Sequence, residues 1–214
     1  MFVDTTALRE QVIDDVIMSA FGSAGQRCSA LRLAFLPTAL FDEFSQGLIG
    51  AMEALHFGDP GNSITDIGPL IDAETRASLS QYLAHLPEGM RLLHHCDVGD
   101  IAKTGYGFGP ALVEIGSLDA LTEEKFGPIL HIIRYDPDDL AGLSEQLRKT
   151  DYGLTLGIHS RLESFQEKIR AACPVGNTYV NRNMIGAMVG VQPFGGHGLS
   201  GTGPKAGGPY YLQR

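Results

Sequence analysis

Apolar positions along the chain alternate between two spacings, and the alternation predicts a succession of helices and strands. Val12, Ile13, Val16, Ile17, Ala20 and Phe21 recur at helical spacing, with Thr5 or Thr6 ahead of them as the expected N-cap. Residues 31–36 form a short apolar run that predicts a buried strand. Helical spacing returns over residues 38–55 through Leu40, Phe41, Phe44, Leu48 and Met52. Beyond it the pattern predicts a helix over 73–86, a short strand over 91–95 and strands over 112–115 and 129–135. A helix over 137–149 has Pro137 near its first turn. Strand, helix and strand follow over 154–159, 162–172 and 177–181. Strands alternating with helices predict an α/β fold with a mostly parallel sheet flanked by helices. The stretch 186–208 is rich in glycine and, by composition alone, reads as a flexible tail.

A hydrophobic content of 43% fits a globular chain with a real core, and 214 residues suffice for one substantial domain but not two large ones. The net charge of −9 is dispersed along the sequence. That composition fits a solvated surface and disfavours nucleic acid or an anionic membrane as partner. No run approaches the roughly 18 apolar residues of a membrane span. Residues 1–10 carry Asp4 and Glu10 and no apolar run of signal length. Cys28, Cys96 and Cys173 make neither a metal-ligand spacing nor an even disulfide framework, so a reducing cytoplasm is the expected compartment. The histidines offer no metal site either: His94 and His95 are adjacent and would point to opposite faces of a strand.

The three cysteines differ in their surroundings. Cys96 ends an expected strand and Cys173 an expected helix, both settings in which cysteine serves as a small core residue. Cys28 lies in Phe21-Gly22-Ser23-Ala24-Gly25-Gln26-Arg27-Cys28-Ser29-Ala30, between a helix and an apolar run. Small residues there leave room for a substrate, and neighbouring backbone N–H groups can stabilise an oxyanion. A thiolate on such a turn could draw on Arg27 or a helix N-terminus for help, although Arg27 could equally serve a salt bridge.

Gly25-Gln26-Arg27-Cys28 resembles the nucleophile motif of the aldehyde dehydrogenase superfamily. Further stretches match in the order that the family uses. They are Phe57-Gly58-Asp59-Pro60 with Ile67-Gly68-Pro69-Leu70, then Glu124-Lys125-Phe126-Gly127-Pro128, Tyr152-Gly153-Leu154-Thr155, and Pro193-Phe194-Gly195-Gly196. Within the superfamily, Ser23 to Arg32, Tyr179-Val180-Asn181-Arg182-Asn183 and Gly201-Thr202-Gly203-Pro204-Lys205 resemble the L-glutamate γ-semialdehyde (1-pyrroline-5-carboxylate) dehydrogenases. The likeness is greatest to the dehydrogenase module of bifunctional proline utilization A enzymes, with the single-function enzymes as the near alternative.

The resemblance implies an NAD-dependent oxidation of L-glutamate γ-semialdehyde to glutamate, with Cys28 as nucleophile. It implies that Glu124 binds the nicotinamide ribose hydroxyls and that Phe126 lies beside the nicotinamide. Ser29 and the backbone N–H groups of Gly186 and Ala187 would hold the substrate carboxylate, and Phe194 would pack on its aliphatic part. FAD would belong only to the proline dehydrogenase module of a bifunctional parent. The glycine-rich stretch becomes an ordered loop lining the site.

The resemblance also sets expectations about what is missing. Family members place a Rossmann-type NAD-binding domain, a general-base glutamate and an oxyanion-binding asparagine before the cysteine. Only residues 1–27 precede Cys28, and Glu10 there does not match the general-base motif. Residues 1–214 are therefore expected to be the cysteine-bearing catalytic domain, truncated at its N-terminus, without the NAD-binding domain or the strands of the dimerisation hairpin. The isolated chain is expected to be inactive. An apolar face should be left exposed, favouring self-association or a homo-oligomer. A dehydrogenase for another semialdehyde, such as succinate semialdehyde, and a non-catalytic folding or oligomerisation module remain alternatives.

Overall fold

The computed structural model describes residues 1–99, 101 and 105–213. Its centre is a seven-stranded sheet in the order β3-β4-β5-β2-β1-β7-β8. The strands are β1 (Phe2–Val3), β2 (Leu33–Pro37), β3 (Met90–His95), β4 (Ala111–Ile115), β5 (Ile129–Tyr135), β7 (Thr155–His159) and β8 (Asn177–Val180). All neighbours run parallel except β3, which pairs antiparallel with β4. A separate two-stranded ribbon joins β6 (Tyr152–Gly153) to β9 (His197–Gly198). The α/β expectation with a mostly parallel sheet is met.

Strand β1 was not legible in the hydrophobic pattern because it has only two residues, yet it sits between β2 and β7. Phe2 stacks on Phe35 of β2 with ring centroids 4.1 Å apart, and Tyr135 meets it edge-on at 6.1 Å. The Tyr135 hydroxyl donates to the carbonyl of Val3 at 2.7 Å, which satisfies the one polar atom that this aromatic cluster buries.

Helix α1 (Arg9–Phe21) packs against α2 (Phe41–Glu53) and turns Val12, Val16, Ala20 and Phe21 into the core. Its expected threonine cap is a misreading. The N-cap is Leu8 and makes no side-chain cap bond. Thr6 is drawn elsewhere: its hydroxyl accepts the Arg161 N–H at 3.0 Å and lies against buried Asp4, whose Oδ2 also accepts from Ser160 Oγ at 2.9 Å. Burial alone would raise the Asp4 carboxyl, but the hydrogen bonds from Thr6 and Ser160 outweigh it and hold the pKa below the usual range. Thr5 and Thr6 satisfy this buried acid rather than the helix.

The predicted helix over 38–55 opens with a 3-10 turn, Thr38–Leu40, before α2 begins. Helix α3 (Ala73–Ala84) is capped by Asp72, which accepts the Thr75 N–H. It presses Leu79 and Tyr82 toward the start of β5, where Tyr82 Oη lies 2.8 Å from Nε2 of His131. Helices α4 (Leu140–Lys149) and α5 (Glu163–Ala172) pack on each other, and α5 covers β7. Among the described residues no helix is long and apolar enough to cross a membrane.

Candidate active site

The nucleophile turn is built from the end of α1 upward. After Phe21 the backbone bends through a 3-10 segment, Gly22–Gly25, in which Ser23 and Ala24 take positive φ (57° and 53°) and Gly25 follows at 64°. Left-handed residues in succession are costly for L side chains, which is why the segment is so small in composition. The Ala30 N–H closes back on the Arg27 carbonyl at 3.1 Å, leaving Cys28 and Ser29 at the tip, and the Leu31 N–H returns to the carbonyl of Ser19 at 2.9 Å. Cys28 is exposed at this tip and Ser29 is buried beside it. No helix begins at Cys28; the chain passes from the turn into β2. Among the described residues Arg27 has no carboxylate partner; its Nε donates to Ser23 Oγ at 2.9 Å.

Two polar side chains fix the turn from either side. Gln26 accepts the Ile71 N–H at 2.9 Å and donates to the Pro69 carbonyl at 3.4 Å, so it ties the turn to the 68–71 loop. Arg32 donates to the carbonyls of Gly25 (2.6 Å), Arg27 (3.2 Å) and Gly127 (3.2 Å) and to Oε1 of Glu124 (3.0 Å). Neither role was read from the sequence. The available signal was a charge inside an apolar run: an arginine there must bring its own acceptors. It also displaces the strand, which begins at Leu33 rather than Leu31.

The glycine-rich stretch is no flexible tail. Asn177 donates from Nδ2 to the Pro193 carbonyl at 2.9 Å and accepts the Gly195 N–H at 3.3 Å. Phe194 and Ala206 exchange backbone hydrogen bonds at 3.0 and 2.9 Å, and Lys205 donates to the Gly176 carbonyl. Gly176 has to be glycine, since a Cβ there would lie 1.8 Å from the Gly195 oxygen. His197, which sequence reasoning left without a role, lies with Nε2 2.9 Å from the Pro174 carbonyl.

These elements enclose a cleft of about 780 Å³. Cys28, Ser29, Gly186, Ala187 and Phe194 all line it, drawn together from opposite ends of the sequence. Gly186 takes φ 75° with open space where a Cβ would stand, so its backbone is accessible from the cleft side. Glu124 and Phe126 do not line this cleft. They lie across the nucleophile turn, where the Arg32 guanidinium sits 4.6 Å from the Phe126 ring centroid. Phe126 remains 44% exposed. A partly free carboxylate next to an exposed aromatic ring suits a ribose diol and the flat ring of a nicotinamide, so the pair fits NAD.

The other two thiols have no part in the cleft. Cys96 and Cys173 are buried, and burial pushes the Cys96 thiol up to about 11 and raises that of Cys173 as well. Among the described residues no cluster of histidine, cysteine, aspartate or glutamate could hold a metal ion. Met188 and Val189, which line the cleft, and Val191 and Met18 are exposed apolar side chains.

Comparison with known proteins gives the following. The family described as "Aldehyde dehydrogenase family" matches residues 1–214. The bifunctional protein PutA of Klebsiella aerogenes is 48% identical over 219 residues, covering 100% of this chain and 17% of that protein. A 1-pyrroline-5-carboxylate dehydrogenase of Geobacillus kaustophilus is 36% identical over 212 residues, covering 98% of this chain and 40% of its own length. A crystal structure of bifunctional proline utilization A superposes with a TM-score of 0.94 at 50% identity, over 99% of this chain and 21% of that one.

Proposed function

The chain belongs to the aldehyde dehydrogenase family, and from that premise we propose that it carries the catalytic cleft of an L-glutamate γ-semialdehyde dehydrogenase. The observation that carries this reading is the convergence of Cys28, Ser29, Gly186, Ala187 and Phe194 on one cleft. The names of the relatives at 48% and 36% identity support the substrate.

In this reading the Cys28 thiolate adds to the aldehyde carbon, and the carbonyl electron pair moves to oxygen. The backbone N–H of Cys28 donates to that oxyanion. Ser29 and the N–H groups of Gly186 and Ala187 hold the substrate carboxylate, while Phe194 packs on its methylenes. Glu124 and Phe126 would hold NAD⁺, which when bound would accept the hydride that the adduct carbon loses as its carbonyl re-forms. The acyl group remains on Cys28 Sγ as a thioester until water cleaves the C–S bond, releasing the carboxylate, restoring the thiolate and giving two protons to solvent.

The chain spans 17% and 40% of the lengths of the two relatives. We propose that the working unit joins this cysteine-bearing domain to a nucleotide-binding part, and that the domain contributes to a homo-oligomer. Three free cysteines are in keeping with a reducing, cytoplasmic setting.

The test is NADH formation by the whole polypeptide that carries this sequence. Glutamate semialdehyde is expected to exceed succinate semialdehyde by about 10²-fold in kcat/KM, because Ser29, Gly186 and Ala187 would meet a carboxylate one carbon farther from the aldehyde than succinate semialdehyde places it. Residues 1–214 alone are expected to give no NADH. Equal turnover of the two aldehydes would move the reading to a general semialdehyde dehydrogenase.

A further inference from the structure

We propose that Arg32 is a positioning residue that locks the nucleophile turn and the Glu124–Gly127 segment into one rigid unit. The inference rests on the functional reading above for the roles of Cys28 and Glu124, and on geometry for the clamp itself.

Arg32 follows the turn and precedes β2. Its guanidinium binds two carbonyls of the turn just ahead of Cys28, at Gly25 and Arg27, and then crosses to Gly127 and to Glu124, 92 positions along the chain. The same planar group covers the Phe126 ring. Its backbone is held as well: the Arg32 carbonyl accepts the His131 N–H of β5 at 3.0 Å, with His131 Nδ1 at 3.3 Å. The Arg32 side chain is only 19% exposed. A charge withdrawn this far from water persists because four acceptors surround it.

The arrangement has a consequence for the reaction. One oxygen of Glu124 is bound by Arg32, so the orientation of that acid is set before any cofactor arrives. The same side chain holds the carbonyls that shape the Cys28 turn. Arg32 therefore sets the separation between the nucleophile and the acid that would bind ribose. Lysine cannot replace it, because a single ammonium cannot reach acceptors spread around a planar fork.

The clamp predicts a split in the kinetics of the whole polypeptide. Arg32→Met is expected to raise KM for NAD⁺ about 10-fold and lower kcat about 10²-fold, the scale of a misplacement near 1 Å. KM for the semialdehyde should stay within about 3-fold, because Ser29, Ala187 and Phe194 bind substrate without Arg32. Arg32→Lys should be intermediate. Equal changes in both KM values, or a fall in kcat that only tracks the folded fraction, would overturn the proposal.

A second measurement covers the case in which Arg32→Met does not fold. In this chain, Glu124→Ala removes one end of the clamp. Amide exchange at Gln26, Ala30 and Leu31, whose N–H groups are hydrogen-bonded in the turn, should then accelerate about 10-fold, the effect of a coupling near 1.4 kcal/mol. Unchanged exchange at that turn would sink the clamp. Failure of the wild-type polypeptide to oxidise glutamate semialdehyde would instead sink the proposed reaction, and the exchange result would still decide the clamp.

Discussion

Cys28→Ser is expected to lower kcat for semialdehyde oxidation by about 10³-fold or more in the whole polypeptide. The reason lies in what surrounds residue 28. A cysteine needs little activation, since a few per cent of thiolate is present at neutral pH and sulfur is intrinsically nucleophilic. A serine hydroxyl needs an adjacent base, and among the described residues the cleft lining holds no carboxylate, imidazole or amine. Because Cys28 is exposed at the tip of its turn, the substitution should leave the fold alone, with a change in stability within about 0.5 kcal/mol. The check is steady-state NADH formation alongside thermal unfolding of the same preparation. Retention of a tenth of wild-type kcat would mean that another group is the nucleophile.

Gly25→Ala is expected to have the largest effect on stability. Two costs coincide at this position. Gly25 takes φ 64°, where a Cβ costs about 1–2 kcal/mol. The added atom would also lie 2.3 Å from the Gly127 oxygen and 2.9 Å from the Ala20 oxygen. Those obstacles are backbone and cannot rotate aside, so overpacking adds about 1–3 kcal/mol. Together they predict a loss of about 3 kcal/mol, or a fall of roughly 6–12 °C in melting temperature for a chain of this size. Gly50 is the control. It lies in α2 with nothing within 4 Å of an added Cβ, and Gly50→Ala should stabilise by about 0.5–1 kcal/mol. If both variants melt alike, the packing of Gly25 on Gly127 does not exist in solution.

What the sequence disclosed followed the range of its signals. Helices α1 and α2 and strands β4 and β5 were legible because each carries enough apolar residues to show a period. Strand β1 was not, since Phe2 and Val3 are too few, and its central place depends on pairing with β2 and β7. The capping residue of α1 was misread because Thr6 has two possible employers, and buried Asp4 outcompetes the helix end. The cleft residues were legible only through motif resemblance. Composition pointed the other way for 186–208, which is held by the Phe194–Ala206 pairing within it and by Asn177 and Gly176 outside it. Arg32 stood inside a motif in plain view, but its partners are Glu124 and Gly127, and no local pattern couples positions so far apart.

The most direct measurement uses the purified chain and follows alkylation of each cysteine by iodoacetamide at neutral pH, with and without L-glutamate. The account predicts that Cys28 reacts first, well ahead of buried Cys96 and Cys173. It also predicts that L-glutamate slows Cys28, whereas 4-aminobutyrate, which lacks the α-carboxylate, does not. Protection of that kind would place a glutamate-shaped site at Cys28 without any contribution from the nucleotide-binding part. Equal rates at the three cysteines, or no protection by L-glutamate, would contradict a preformed semialdehyde site on this chain.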